Sequence, residues 1–190
     1  MVRFINGVSL GAGVLIPRYY GAEDDDHMER AVHTTVALGL TAGVILTVVG
    51  VILTPQILQW IGTPADVIDN SILYFRIYFF GSSAVVLYNM GASILQSVGD
   101  SRSPMKYLIA ASLANVVLDL LFVAVLKMGV GSAALATILS QCLSAFLAFR
   151  KLTLTKAGYR VNWRRVRFEG PTFKQIITLG IPSGVQSSVV

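Results

Sequence analysis

The 190-residue chain is 54% hydrophobic and only 13% charged, and its mean hydropathy is +0.68. Its net charge of +5 coexists with long windows, at 31–65, 77–99 and 128–149, that contain no Lys, Arg, Asp or Glu. A membrane-spanning helix needs about 20 mainly apolar residues, and each of these windows is long enough. The composition therefore excludes a soluble globular protein and predicts an all-α, polytopic membrane helix bundle.

In chain order, the apolar pattern predicts four complete spans between two partial ones. The first partial span, Phe4–Ile16, begins three residues from the chain start, so we interpret it as the tail of a longer helix. The last, Phe173–Val190, stops within an apolar stretch. The complete spans are Val32–Leu53, which we expect to end at Pro55, and Leu73–Val98, Met105–Leu126 and Val130–Phe149. Because both ends interrupt spans, we expect a fragment of a larger bundle.

Basic residues divide the predicted loops into two groups. The loops near 18–30, 100–106 and 150–174 together hold twelve Lys and Arg residues, whereas the alternate loops hold only Lys127. Cytoplasmic loops of membrane proteins carry an excess of Lys and Arg. We therefore expect the three basic loops to lie on the cytoplasmic side of the plasma membrane, the inner membrane of a bacterium.

The basic stretch after the fifth span admits more than one interpretation. Tyr159, Trp163 and Phe168 alternate with Arg residues, a pattern compatible with nucleic-acid binding. It is also compatible with a segment on anionic lipid, where each basic residue contributes about 1 kcal/mol. We favour a cytoplasmic connector between spans, with the bilayer and no nucleic acid as a partner. The resulting division is a partial bundle over 1–150, a linker over 151–172 and the start of a second bundle over 173–190.

The sequence shows no enzyme site. Cys142 is the single cysteine, and His27 and His33 have no partners at metal-ligand spacing, so we predict neither a metal centre nor a cofactor. No phosphate-binding loop of the ATPase type occurs, which argues against ATP hydrolysis. Transport by this chain would therefore depend on an ion gradient.

Asp119 is the only carboxylate within a long apolar stretch. A charge at the bilayer centre costs about 2.5–3.5 kcal/mol on insertion scales, so such residues usually face a polar cavity and bind an ion, a proton or a substrate. Asn115 lies four residues earlier, one turn away on the same helix face. The two side chains offer oxygen ligands that suit a proton or a small cation such as Na⁺. The alternative is a structural acid paired with a neighbour.

Thr137 and Gln141 form a second polar pair with four-residue spacing, on the next span. Hydroxyl groups on membrane helices often only hydrogen-bond across a helix interface. For Thr137 by itself, a structural role and a functional role are therefore equally plausible interpretations. Together, the two helices could line one cavity. Tyr88 and Gln96 are further candidates for cavity-lining residues, with packing roles as the alternative.

Five segments, in this order, carry a family resemblance. The most specific part is the GD-S-R-SP turn between two spans, followed by the N-x-x-x-D pair. The chain resembles the multidrug and toxic compound extrusion (MATE) transporters over nearly its whole length. The segments are Gly11–Ala22 (GAGVLIPRYYGA), Tyr88–Pro104 (YNMGASILQSVGDSRSP), Asn115–Asp119 (NVVLD), Gly131–Gln141 (GSAALATILSQ) and Leu179–Gln186 (LGIPSGVQ).

The resemblance implies a fold of twelve helices in two lobes. This chain would supply the second to sixth helices, the inter-lobe linker and the start of the seventh. It would lack the first helix and most of the C-lobe, and these missing parts of the transporter would be its partners. The resemblance also implies a binding site for the coupling ion, H⁺ or Na⁺, at Asn115, Asp119 and Thr137, which an acid on the first helix completes in many members.

The implied function is secondary active efflux of amphipathic, often cationic, drug-like compounds in exchange for the coupling cation. Two alternatives remain open. A flippase for lipid-linked sugars in the same superfamily should have a more cationic cavity. The complete predicted spans hold no Lys or Arg except Arg76, near the outer end of its span, and Lys106, in the first turn of Met105–Leu126. The other alternative is an inactive, truncated membrane fragment.

Overall fold

A computed structural model describes the backbone of residues 2–127, 129 and 131–189, and the side chains of residues 11–127, 129 and 131–180. The apolar windows form helices throughout this part of the chain. In order, the elements are α1 (Val2–Gly21), α2 (Asp25–Trp60), α3 (Ile68–Phe80), α4 (Ser82–Ser97), α5 (Arg102–Asp119), a π-helical turn (Leu120–Val125), α6 (Gly131–Leu154), a short 3₁₀ turn (Trp163–Arg165) and α7 (Gly170–Val189).

Four helical stretches of the described chain are long and apolar enough to cross a membrane. They are Asp25–Trp60, Ile68–Ser97, Arg102–Val125 and Gly131–Leu154. They coincide with the four complete spans predicted from the sequence, so the all-helical membrane fold is confirmed. The partial spans fall in α1 and α7, where the side chains of residues 1–10 and 181–190 lie outside the described residues. The last part of the Leu179–Gln186 motif is among them.

Helix α4 lies at the centre of the bundle. It packs against α1, α2 and α6, and Met90, Ile94 and Leu95 on α4 are fully buried. Helix α1 packs along α7, and α5 lies at the edge, mainly on α6. A Cβ atom at Gly11 of α1 would lie 2.3 Å from the carbonyl oxygen of Ile176 on α7. Only glycine permits this close approach, consistent with the use of small residues at helix interfaces in membranes.

The prediction that the second helix ends at Pro55 is wrong. Helix α2 continues through Pro55 to Trp60. Proline removes one backbone donor, but membrane helices tolerate it where nearby hydroxyl groups bond to the backbone. The carbonyl that loses its usual donor is that of Val51, four residues before Pro55, whereas the neighbouring Thr54 Oγ1 donates to the Gly50 carbonyl at 2.6 Å.

The single predicted span Leu73–Val98 is divided at Gly81 into α3 and α4. Ile138 of α6 packs against the division, where a Cβ atom on Gly81 would lie 2.2 Å from Ile138 Cγ1. The Ser82 hydroxyl donates to the Phe79 carbonyl at 2.7 Å, which helps to satisfy the interrupted backbone within the membrane. Both halves are apolar, so composition does not reveal the break.

The three basic loops lie at the same end of the bundle. The rings of Tyr20 and Tyr159 are 6.4 Å apart, which brings the end of α1 to the segment after α6. Arg165 of that segment pairs with Glu29 at the start of α2 at 3.1 Å. The connecting segment itself is 155–169, because α6 and α7 extend into the predicted linker 151–172. The cytoplasmic location of this end and the domain division stay predictions.

Cysteine labelling tests the membrane side. In a Cys142→Ser background, we expect Lys156→Cys to react with a membrane-impermeant maleimide only after the cells are permeabilised, because Lys156 lies in the basic linker. Ala65→Cys, in the loop between α2 and α3, should react in intact cells. The reverse labelling pattern would contradict the proposed orientation.

Asp100 connects the turn between α4 and α5 to α6. Its carboxylate accepts hydrogen bonds from Lys151 Nζ and, at 3.1 Å, from the Ser103 backbone N–H. Partial burial by itself raises the pKa of Asp100, but the hydrogen bonds from Lys151 and Ser103 lower it by more, so the net pKa lies below its ordinary value. Gly99, at φ 88°, makes the left-handed turn that precedes the carboxylate.

Removing the Asp100 charge should destabilise the protein at neutral pH. A lowered folded-state pKa means that the stabilisation is present above the ordinary value of 3.8 and is lost as the pH falls through the lower folded value. We expect Asp100→Asn to cost about 1 kcal/mol at pH 7, measured as a lower thermal unfolding midpoint. The control Asp66→Asn, at an exposed loop position, should leave the midpoint unchanged. Equal midpoints for Asp100→Asn and the unmodified protein at pH 7 would refute the connection.

Candidate functional site

The helix geometry changes at Asp119. Asp119 is the last residue of α5, and the π-helical turn Leu120–Val125 begins directly after it. The Leu126 N–H donates to the Leu121 carbonyl, five residues earlier, at 2.9 Å. The predicted span Met105–Leu126 is therefore not one regular α-helix. Single π-helical turns are rare and frequently occur at functional sites.

Asn115 and Asp119 lie one turn apart, and each has an unsatisfied polar atom. Asn115 Nδ2 and Asp119 Oδ1 are buried without a hydrogen-bond partner, and within the described side chains only Thr34 Oγ1 shares this condition. Leaving such an atom unpaired costs about 1–3 kcal/mol. The structural-acid interpretation requires a partner for the carboxylate, and the described residues supply none to Oδ1. The pair is thus suited to bind a group from outside α5.

Thr137 lies at a similar depth on the neighbouring helix. Helix α6 packs against both α5 and the π-helical turn. Asp119 is six residues before the end of that turn at Val125, and Thr137 is six residues after the start of α6 at Gly131. Both residues therefore lie the same number of residues from the end at which the two helices are joined. Thr137 Oγ1 donates to the Ala133 carbonyl at 3.0 Å, which leaves its lone pairs available to a cation.

The three candidate cavity residues have different surroundings. Tyr88 is 8% exposed, and its hydroxyl donates to the Pro104 carbonyl at 2.8 Å, which joins α4 to the first turn of α5. Gln96 is exposed near the end of α4, and Gln141 is partly buried one turn beyond Thr137. The structure thus gives Tyr88 a packing contact. Cavity-lining roles for Tyr88, Gln96 and Gln141 stay predictions.

Metal binding by clustered acidic, His or Cys ligands finds no support in the described part of the chain. No group of three such side chains lies close enough there to hold an ion. His27 instead contacts Asp24, with 2.7 Å between Nδ1 and Oδ2, and Cys142 is exposed on α6. Asp25, Asp26, Glu29 and Asp69 lie in the first two turns of their spans, so Asp119 is the acidic side chain in the interior of a described span.

These features define a class of protein, a multi-span helical membrane protein with a carboxylate site inside a span. The sequence profile of the MatE family matches residues 1–121. That match covers more than half of the chain, and the chain belongs to the MatE family. The family expected from the sequence motifs is therefore confirmed.

Known proteins similar to this chain carry multidrug names. It is 29% identical over its whole length to the probable multidrug resistance protein YoeA of Bacillus subtilis (strain 168), and 30% identical to the probable multidrug resistance protein YpnP of the same strain. The chain spans 42% of the length of each relative. The inward-facing structure of a multidrug resistance MATE family transporter of the MOP superfamily has a TM-score of 0.88 at 26% identity, over 97% of this chain and 42% of that one.

The unpaired carboxylate should reduce stability. Asp119→Leu removes a buried acceptor without a partner, so we expect the free energy of unfolding to rise by about 1–3 kcal/mol. The measurement is the thermal unfolding midpoint in detergent at pH 7. The control Asp66→Leu, at an exposed loop position, should change stability by less than about 0.5 kcal/mol. A lower midpoint for Asp119→Leu would show that the carboxylate stabilises the fold.

Proposed function

We propose that this chain forms part of a secondary active multidrug efflux transporter of the plasma membrane, in which H⁺ or Na⁺ binds at Asp119, Asn115 and Thr137. The observation that carries the proposal is the buried Oδ1 of Asp119, which has no hydrogen-bond partner among the described residues and lies one turn from the Asn115 amide. A binding site for a coupling ion must release and rebind its ion, so its ligands cannot be permanently engaged with each other. The proposed activity is transport, which uses H⁺ or Na⁺ as the coupling ion and no cofactor.

The oxygen chemistry of the three residues supports a proton or a small hard cation. Asp119 supplies a charge that a proton or Na⁺ neutralises, and Asn115 and Thr137 supply uncharged oxygens. An ionised carboxylate in a span is costly, so neutralisation by the ion provides a large driving force for binding from the side with the higher ion concentration. The family membership of the chain supports the same assignment.

The position of the π-helical turn suggests how ion binding would be transmitted. The turn starts one residue after Asp119 and packs on α6. Neutralising Asp119 removes the main electrostatic cost of moving this helix segment against its neighbours, so the N-lobe helices can repack. We propose that this repacking changes the affinity for an amphipathic, often cationic, compound in a cavity between the lobes.

The names of the relatives support a drug-like substrate more than a lipid-linked sugar. A cavity for the pyrophosphate of such a lipid should be cationic. Within the described span Ile68–Ser97, the only Lys or Arg is Arg76, which is exposed on α3. The transport assay distinguishes the flippase from the drug transporter by comparing ethidium with a lipid-linked sugar as the substrate.

The transport test uses the complete protein that the native gene encodes, reconstituted in liposomes. We expect Asp119→Asn to abolish uptake of ethidium driven by an imposed pH or Na⁺ gradient, because the fixed neutral amide cannot exchange the ion. Thr137→Val and Asn115→Leu should each reduce the rate about fivefold, the loss of one ligand at about 1 kcal/mol. The gradient that drives uptake identifies the coupling ion.

Asp66→Asn is the matched control, since it makes the same chemical change at an exposed loop position. Equal amounts of each variant in the membrane exclude an effect on insertion. Unmodified transport by Asp119→Asn would rule out the ion site, and gradient-driven movement of a lipid-linked sugar without movement of ethidium would favour the flippase.

A further inference from the structure

A polar cavity lies at the end of the bundle where the basic loops meet. It has a volume of about 330 Å³ and is lined by the start of α2 and by the linker, up to Glu169 directly before α7. This size lies at the lower end of the range of about 300–1,000 Å³ that is typical of ligand pockets. Arg30 and Thr34 line it from α2, and Arg164, Arg165 and Arg167 line it from the linker.

Thr34 belongs to the buried wall of this cavity, and its hydroxyl group is unused. The residue is 0% exposed, and its Oγ1 is buried without a hydrogen-bond partner. Threonine in a helix usually bonds to the carbonyl four residues earlier, as Thr35 does to Ala31 at 2.7 Å. The Thr34 hydroxyl does not make that bond, so a donor is available at the buried end of the cavity.

Two of the arginines are already neutralised by carboxylates. Arg165 pairs with Glu29 at 3.1 Å, and Arg30 pairs with Glu169 at 3.2 Å. Arg164 and Arg167 have no carboxylate partner within the described residues, and the remaining acidic residue in the lining is Asp26. The lining therefore keeps a small surplus of positive charge, carried by two exposed guanidinium groups.

His33 holds the linker in place beside the cavity. It is 3% exposed, and its Nε2 accepts a hydrogen bond from the Asn162 backbone N–H at 3.0 Å. Its Nδ1 lies 2.7 Å from the Glu29 carbonyl oxygen, so the neutral ring donates there. The Asn162 side chain accepts from the Arg164 N–H at 3.2 Å. The backbone that carries the two unpaired arginines is thus fixed against α2 before any ligand binds.

We propose that this cavity is a binding site for a phosphate group, with Arg164 and Arg167 as its charge partners and the Thr34 hydroxyl as a donor at its buried end. Guanidinium groups match phosphate in both geometry and charge. The phosphate comes either from a phospholipid headgroup in the adjacent leaflet or from a free phosphate in the aqueous phase. In both cases the ligand connects α2 and the linker, and binding to the folded state stabilises it.

Calorimetric titration of the complete protein in a neutral maltoside detergent tests the site. Three ligands are titrated at constant ionic strength, namely inorganic phosphate, dihexanoyl phosphatidic acid and the zwitterionic dihexanoyl phosphatidylcholine. Saturable binding of inorganic phosphate supports a free phosphate as the ligand. Binding of phosphatidic acid without binding of inorganic phosphate supports the lipid headgroup. Absence of saturable binding by both, or equal binding of all three ligands, overturns the proposal.

The variants locate the site. Arg164→Gln and Arg167→Gln should each weaken binding about tenfold, because each removes a charge-assisted hydrogen bond. Thr34→Val keeps the shape of the side chain and should weaken binding about fivefold. Lys156→Gln removes one charge from the same linker outside the cavity and should leave the affinity unchanged. Equal weakening by Lys156→Gln would indicate a general charge effect and overturn the proposal.

The thermal unfolding midpoint of each variant, measured without ligand, shows whether a weaker affinity results from a destabilised fold or from the loss of a ligand contact. Arg164 and Arg167 are exposed and have no ion-pair partner within the described residues, so their variants should melt as the unmodified protein does. The site lies on α2 and the linker, away from Asp119 on α5, so phosphate binding should be retained in Asp119→Asn. This result separates the phosphate site from the proposed ion-coupled transport.

Discussion

The absence of water in the bilayer core is the constraint on which the structure depends. Every backbone N–H and C=O group there must find its partner within the protein, and an apolar stretch of about 20 residues satisfies this as a helix. The break in regular helix at Gly81 is accompanied by local compensation. The Ser82 hydroxyl there donates to the Phe79 carbonyl.

The same constraint makes a polar side chain within a span costly unless it has a hydrogen-bond partner. Hydroxyl groups such as Thr137 bond to a carbonyl of their own helix and cost little. Asn115 and Asp119 have buried atoms without such a bond, next to the π-helical turn. A protein that keeps an unsatisfied carboxylate in an apolar region gives up stability, which is the usual cost of a functional site. The proposed ion site therefore follows from an energetic cost that packing does not explain.

The loop end of the bundle is organised by charge instead of by apolar packing alone. Ion pairs from Arg165 to Glu29 and from Arg30 to Glu169 attach the linker and α7 to the start of α2. Lys151 and Asp100 make the corresponding connection between α6 and the turn before α5. These contacts bring together loops that are far apart in the sequence, and they place the unpaired arginines and the Thr34 hydroxyl around one cavity.

The sequence by itself determined the membrane class, the four complete spans and the family. It also determined that Asn115 and Asp119 lie one turn apart on the same helix face. Each depends on composition or on spacing of a few residues, which local physics translates directly into structure. Only the tertiary structure decided the break at Gly81, the passage of α2 through Pro55 and the π-helical turn after Asp119. Those depend on which neighbouring helix packs against the chain and on which partner each backbone group finds, and an apolar sequence is compatible with either outcome. The packing role of Tyr88 and the unpaired Thr34 hydroxyl likewise appeared only once distant segments had been brought together.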